Sequence, residues 1–116
     1  MATIRRADVQ VDESMPNLSR WTMLNAAAGA GHLEVGVLTI APGSGIALHI
    51  HPTHEEGMYI VDGPMDYVLG DEKGTVDTGD MLLAPARVPH SLSNSSSEPK
   101  SLLFIFPTTN VQRVYL

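Results

Sequence analysis

Histidines are concentrated at one place in this sequence, where His49, His51 and His54 lie within six residues. His49 and His51 end a stretch whose apolar spacing is typical of a β-strand, and in a strand residues i and i+2 share a face. Both imidazoles are therefore predicted to point to the same side, with Ile50 on the other. Two imidazoles on one face are suitable ligands for a divalent first-row metal.

Glu56 is predicted to complete this group of ligands. If the chain reverses over residues 52–55, a hairpin with a four-residue loop sets His51 directly opposite Glu56. Directly opposed residues share a face, with Cβ atoms about 5 Å apart. The same register leaves Glu55 in the loop or on the opposite face, and a β-bulge near the turn would exchange the two glutamates. Two imidazoles and one carboxylate with open coordination positions form a facial triad for a transition metal.

The spacing around these residues resembles the two sequence motifs of the cupin superfamily. The first motif begins at Gly43 and ends at Gly63, with His49, His51 and Glu56 between them.

The second motif runs from Gly79 through Pro85 and His90 to Asn94. The one departure is Arg87, which stands where the family usually has Gly. The two motifs together span about half of the chain, residues 43–94.

The resemblance implies an all-β fold, a double-stranded β-helix or jelly-roll cupin barrel. It implies a single cupin domain over residues 1–116, with the first motif at 43–63 and the second at 79–94. The positions that bind metal in the family are filled by the expected residue types, His49, His51, Glu56 and His90. His90 follows Glu56 by 34 residues and becomes its neighbour only if the sheet closes on itself.

Such a site would hold one divalent transition metal per chain. Three neutral imidazoles and one carboxylate leave about two open octahedral positions. Iron is the first prediction, and manganese, nickel, copper and zinc stay open because imidazole suits several of these metals. An apolar cavity beside the metal would exclude water and strengthen charge interactions there. Its predicted lining is Met58, Ile60, Val68, Leu83, Leu92 and Phe104.

The rest of the chain is predicted to supply short strands. With 10 Gly and 8 Pro in 116 residues, a helical bundle is disfavoured. Apolar spacing of about two, or short apolar runs, predicts eight or nine strands, which indicates a closed barrel or sandwich. The predicted strands are Arg20–Leu24, Leu33–Ile40, Ile46–His51, Gly57–Val61, Met65–Leu69, Met81–Ala84, His90–Ser93, Leu102–Phe106 and Val111–Tyr115. Residues 70–74 are predicted to be a turn.

Composition argues against several classes of function. Thirteen acidic residues against seven basic ones give a net charge of −6, which disfavours nucleic acid and anionic membranes as partners. The chain has no Cys, which excludes thiolate chemistry and fits a reducing cytoplasm. The N-terminus has no signal-peptide pattern, and the longest apolar run, Leu102–Phe106, is far shorter than the roughly twenty residues of a membrane-spanning helix.

Several other polar residues have a structural and a functional interpretation. We expect His54 to be an exposed turn residue, the alternative being a proton shuttle at the mouth of the cavity. We expect Arg87 to be a surface residue in a turn that does not need a positive φ, the alternative being a cation that holds a carboxylate or enolate. His32 is expected at the surface, and Asn94 is expected to satisfy backbone groups of its loop.

Three functions fit this sequence. The first is a metal-dependent oxidoreductase, dioxygenase-like, that acts on a small organic substrate, with Glu56 as a possible base. The second is a non-oxidative metal enzyme, an isomerase, epimerase or lyase, in which the metal polarises a carbonyl. The third is a non-catalytic barrel that binds a ligand. In many cupins of this size terminal strands pair across a homodimer, and the weak alternation of Ile4–Val11 and Val111–Leu116 agrees with a homodimer here.

Overall fold

The computed structural model describes residues 1–116, which form ten strands and two short 3₁₀ helices. The strands are β1 (Leu18–Leu24), β2 (Glu34–Ile40), β3 (His49–Ile50), β4 (Glu56–Asp62), β5 (Met65–Leu69), β6 (Glu72–Val76), β7 (Met81–Ala84), β8 (His90–Ser93), β9 (Lys100–Phe106) and β10 (Val114–Tyr115). The 3₁₀ helices are Arg6–Asp8 and Ala26–Ala28. No helix of this structure has the length and apolar character needed to cross a membrane.

The strands form two five-stranded antiparallel sheets. The first sheet has the order β1-β2-β9-β4-β7 and the second the order β10-β3-β8-β5-β6. Both sheets contribute to one apolar core, so they pack face to face as a jelly-roll barrel. The predicted all-β fold is confirmed.

Alternation along the strands places the core between the sheets. In β9 every second residue is buried, and Leu102, Phe104 and Phe106 are each at most 3% exposed. In β4 the same period buries Glu56, Met58 and Ile60. Full burial of one such apolar side chain contributes about 1.5–3 kcal/mol, so this alternation fixes which face of each strand lines the interior.

The pairing of β3 differs from the hairpin predicted by the sequence. β3 pairs with β8 and β10 in the second sheet, whereas β4 pairs with β7 and β9 in the first. Residues 51–55 therefore cross from one sheet to the other, and His51 and Glu56 are not cross-strand partners. The prediction of that register was wrong, because closing the barrel gives each of the two strands different neighbours.

β6 was missed by the sequence analysis, which predicted a turn at residues 70–74. Only its last residue, Val76, is a buried apolar side chain, and the other four residues are exposed, as suits the edge strand of a sheet. Periodicity of apolar residues cannot identify a strand that buries almost nothing.

The outer face of the first sheet is apolar over its whole width. One row of directly paired residues crosses all five strands and contains no charged or small polar side chain; it consists of Trp21, Val37, Leu103, Tyr59 and Met81. A second row passes through Val35, Ile105, Gly57 and Leu83. Met81 is 60% and Leu83 58% exposed. We call these two rows the apolar outer face.

Candidate metal centre

The structure brings the four predicted ligands together between the two sheets. His49 on β3 is the direct partner of His90 on β8, and both belong to the second sheet. Glu56 begins β4 in the first sheet, and His51 immediately follows β3. All four are buried, and one nitrogen or oxygen atom from each lies within 4.8 Å of the others.

Backbone carbonyls fix the orientation of the three imidazoles. The Nδ1 atoms of His49, His51 and His90 lie 2.8, 2.7 and 2.9 Å from the carbonyl oxygens of Ala47, Gln112 and Val88, respectively. A carbonyl oxygen only accepts, so each Nδ1 carries the proton. In a neutral imidazole the lone pair is then on Nε2. This arrangement of a backbone acceptor behind each ring is the usual one for metal-binding histidines.

Glu56 lies against two of these Nε2 atoms. Its Oε1 atom is 3.1 Å from Nε2 of His51 and 3.0 Å from Nε2 of His90. A carboxylate oxygen and two imidazole lone pairs are all acceptors, so these contacts need either protons on Nε2, which make them hydrogen bonds, or a metal ion between the three atoms. Two ligands that are about 2.1 Å from one ion and at right angles are about 3.0 Å apart. The donor set therefore fits a divalent metal ion, and the assignment of the four residues as its ligands stays a prediction.

The surroundings keep two of the four groups in the protonation states that metal binding needs. Burial lowers the pKa of the His49 imidazole to about 4, which keeps it neutral at physiological pH. Burial by itself raises the pKa of the Glu56 carboxyl, but the hydrogen bonds with His51 and His90 outweigh this effect and lower the pKa to about 2. Glu56 is therefore a carboxylate at any pH at which the protein is handled.

His54 is buried at 8% exposure, so the prediction of an exposed turn residue was wrong. Its ring stacks on His51 at 5.0 Å, and its Nε2 accepts from the backbone N–H of Gln112 at 3.1 Å. Its Nδ1 donates to the carbonyl oxygen of Glu55. With both nitrogens bonded, His54 has no free site for carrying protons, and it holds the C-terminal segment against His51 instead.

Arg87 adopts φ of +66°, so the expectation that its turn needs no positive φ was wrong. Its side chain is exposed, and its backbone N–H donates to the carbonyl oxygen of His51. The turn keeps the left-handed conformation that the family's Gly would adopt freely. Glu55 and His32 are exposed, as predicted.

Asn94 has the predicted structural role. It is 1% exposed, and its Nδ2 donates to the carbonyl oxygens of Ile40 and Glu98. Its Oδ1 accepts from the backbone N–H of Ser96, so the side chain organises its loop.

A small cavity of about 20 Å³ opens beside the four residues. Of the predicted lining, Met58, Leu92 and Phe104 are present, whereas Ile60 and Val68 do not reach it. Leu83 was wrongly predicted to point inward, since the pairing of Glu56 with Ala84 turns Leu83 outward. The lining consists of Arg20, Leu38, Ile46, His49, Glu56, Met58, His90, Ser91, Leu92, Leu102, Phe104, Phe106 and Arg113.

Arg20 and Arg113 in this lining were missed by the sequence analysis. Arg20 shares its face of β1 with the buried Leu18, and that spacing of two was a signal that could have found it. Nothing in the sequence places Arg113, because its position depends on how the C-terminal segment lies across the second sheet.

Comparison with known proteins agrees with this fold. The family model described as "Cupin domain" matches residues 36–106. Protein SchB of Streptomyces halstedii is 33% identical over 101 residues, which are 83% of this chain and 73% of that protein. Quercetin 2,3-dioxygenase of Bacillus subtilis is 27% identical over 93 residues, which are 80% of this chain and only 27% of that enzyme's length.

Solved structures show the same architecture. Oxalate decarboxylase of Lactobacillus farciminis, in a formate complex, superposes with a TM-score of 0.84 at 22% identity. The match covers 95% of this chain and 34% of that one, so this chain spans about a third of it. The polyketide cyclase RemF from Streptomyces resistomycificus superposes with a TM-score of 0.83 at 21% identity, over 100% of this chain and 87% of RemF.

Proposed function

Because the chain belongs to the cupin family, we propose that it is a metal-dependent oxidoreductase, of dioxygenase type, that acts on a small organic substrate. The observation that carries the proposal is the convergence of His49, His51, Glu56 and His90, three of which, His49, Glu56 and His90, line a cavity with a partly apolar wall. The likeness to a quercetin dioxygenase supports the oxidative form of the reaction.

A bound divalent metal would supply Lewis acidity and, where it is redox-active, a path for electrons between substrate and dioxygen. Iron is the first proposal for this metal, with manganese, nickel, copper and zinc as alternatives. The three imidazoles and the Glu56 carboxylate are the residues that would hold it.

The chain's own residues would position the substrate and exclude water. Aromatic and aliphatic side chains form most of the cavity wall, so polar groups inside it act in a medium of low dielectric constant. Glu56 is the only carboxylate of the lining and the proposed base for a proton on the substrate. Beyond the predicted ligands, the lining contains no other carboxylate or imidazole.

Elemental analysis followed by oxygen uptake tests this proposal. Untagged protein purified without chelator is expected to hold about one equivalent of a redox-active metal per chain. That protein is then screened for oxygen consumption with 1,3-diketones, 2-oxo acids and 3-hydroxyflavones, with His51→Ala as the inactive control. Metal without oxygen uptake on any of these classes would contradict the oxidoreductase, and a chain that takes up no metal would leave only a ligand-binding barrel.

A non-oxidative metal enzyme is the second candidate. The observation in its favour is that RemF, which matches this chain over nearly its whole length, is called a polyketide cyclase. The experiment that separates the two candidates is product analysis with and without dioxygen. Turnover that continues at an unchanged rate in anaerobic buffer would favour the non-oxidative enzyme.

We further propose that the chain is a homodimer formed through the apolar outer face. The residues of the two rows carry no charge, and the one cation over them is Arg6, whose Cζ lies 3.9 Å from the centre of the Trp21 ring at one edge. Two copies with a net charge of −6 each can approach most closely where no acidic residue faces the partner. Sheets pack well face to face, and a two-fold axis would join the same surface of both copies. The predicted pairing of terminal strands across the dimer is less favoured, since β10 pairs with β3 of its own chain.

Light scattering coupled to size exclusion gives the mass that tests this dimer. The wild type is expected to have twice the mass of one chain, and Leu83→Glu to shift toward the monomer. Ser97→Glu adds the same charge on an exposed loop and is expected to stay dimeric. A monomeric wild type would contradict the proposal.

The cytoplasm remains the proposed location, supported by the cysteine-free sequence.

A further inference from the structure

Two arginines in the cavity wall have no role in holding a metal. Arg20 lies on β1 of the first sheet, and Arg113 directly precedes β10 of the second. The two arginines therefore contribute to the cavity lining from opposite sheets. Outside the predicted ligands, Ser91 is the only other polar residue of the lining.

Neither arginine has an ion-pair partner in the protein. The ion pairs of the structure join Glu56 to His51 and His90, and Lys100 to Asp62. Arg20 and Arg113 are both half-buried, and charged side chains that are shielded from water are normally paired. Two shielded guanidinium groups without a carboxylate partner leave positive charge for a ligand to neutralise.

The surroundings of Arg20 place its positive charge beside the cavity. The Cζ atom of Arg20 lies 5.6 Å from the centre of the Phe104 ring, which also lines the cavity. Burial lowers the pKa of Arg20, and the positive charge of Arg113 lowers it further, so the two groups are near enough to repel each other. Asp12 and Glu56 offset this only in part. Arginine stays protonated in proteins, so the repulsion persists at physiological pH.

We propose that Arg20 and Arg113 together bind a carboxylate group of the molecule that enters the cavity. The planar guanidinium fork matches the two oxygens of a carboxylate, and a bound anion would relieve the repulsion between the arginines. A cavity of about 20 Å³ holds roughly one water-sized group, so it would receive the carboxylate end of a ligand. The substrate class is therefore an organic acid.

This inference rests on the proposed function in one respect, which is that the rest of the acid reaches the four predicted ligands. Binding of the carboxylate itself requires only the two arginines. The contrast with the whole chain, whose net charge is −6, shows that the positive cavity is a local feature and not a consequence of a basic protein.

Isothermal titration of the metal-loaded protein with acetate and propionate tests the inference, with acetamide and propionamide as uncharged probes of the same shape. The amides are expected to bind at least tenfold more weakly than the acids. Arg20→Met and Arg113→Met are each expected to weaken binding of the acids by about tenfold or more, the usual effect of losing a charge-assisted hydrogen bond. Metal content per chain is expected to stay unchanged. Arg5→Met, at an exposed position outside the cavity, is the matched control.

Arg20→Lys provides a second variant that keeps the charge if Arg20→Met unfolds, and it is expected to retain part of the acid binding. Equal binding of acids and amides, or acid binding that is unchanged in Arg113→Met, would overturn the inference. Tighter binding of inorganic phosphate than of either acid would overturn the assignment to a carboxylate. Arginine-dependent binding without any oxygen uptake would contradict only the proposed function, whereas oxygen uptake with arginine-independent binding would contradict only this inference.

Discussion

His51 and Gln112 are 61 residues apart in the sequence, yet Nδ1 of His51 donates to the carbonyl oxygen of Gln112 at 2.7 Å. The backbone N–H of the same Gln112 donates to Nε2 of His54 at 3.1 Å. Two imidazoles therefore hold the backbone of one residue, Gln112, in the C-terminal segment, and that segment in turn sets the tautomer and orientation of a predicted ligand. The C-terminus belongs to the site even though it contributes no ligand.

Removal of residues 112–116 is expected to weaken metal binding by roughly 10–100-fold, the usual effect of losing the hydrogen-bond partner behind a ligand. Competition with a coloured chelator measures this affinity. A protein that lacks only residues 114–116 keeps Gln112 and Arg113 and serves as the control. Equal affinities of the two truncated proteins would show that the Gln112 contact does not orient His51.

His51→Ala is expected to lose both bound metal and thermal stability. The substitution removes a ligand and leaves the Glu56 carboxylate buried with one fewer partner, which costs about 1–3 kcal/mol or more for a charged group. Elemental analysis and a thermal melt are the measurements. His32→Ala changes an exposed histidine and is expected to alter neither quantity. Full metal content in His51→Ala would show that the ligand assignment is wrong.

The metal-free protein is expected to lose stability in acid in two overlapping steps. The pKa of His49 is about 4 in the folded chain against 6.5 as the ordinary value, so the unfolded chain binds more protons as the pH falls from 6.5 to 4. The pKa of Glu56 is about 2 against 4.5, so the same holds from 4.5 to 2. In both windows the free energy of unfolding decreases as the pH decreases.

Urea unfolding midpoints at several pH values measure this dependence. His49→Asn removes the first titration and is expected to flatten the curve between pH 6.5 and 4 while leaving the decline below pH 4. A slope in His49→Asn that equals that of the wild type would contradict the role given to His49. Metal affinity is also expected to fall in acid, because ligating imidazoles must be neutral.

Arg87→Gly is expected to raise the free energy of unfolding by up to about 1 kcal/mol. A residue with a Cβ in the left-handed region is strained by roughly 1–2 kcal/mol, and the greater freedom of Gly in the unfolded chain offsets part of the gain. Asn17→Gly is the matched control, since Asn17 has φ of +64° and asparagine tolerates this region better. A lower stability of Arg87→Gly would show that side-chain contacts of Arg87 outweigh the strain.

Much of the site follows from local alternation along the strands. The period of two along β4 placed Met58 and Ile60 on the same inward face as Glu56, as observed, whereas the choice of Glu56 over Glu55 came from a hairpin register that the structure does not contain. The resemblance to the second cupin motif predicted that His90 would join the group, and His90 lies with the other three residues. The prediction for β4 held because the direction of a side chain in a strand depends on its immediate neighbours in the sequence.

Other features could not be predicted because they depend on the partners that a segment finds in the closed barrel. The apolar run of β7 has no alternation, so only the pairing of Glu56 with Ala84 decides that Leu83 faces outward. The assignment of β3 to the second sheet, the burial of His54 and the entry of Arg113 into the cavity all depend on how the two sheets and the C-terminal segment meet. The sequence by itself thus determined the all-β class and the inward face of β4, which are set by residue type and local spacing, and its resemblance to the cupin motifs predicted the ligands. The tertiary structure decided which strands are neighbours and which charges share the cavity, because contacts between distant segments exist only after the sheets have packed.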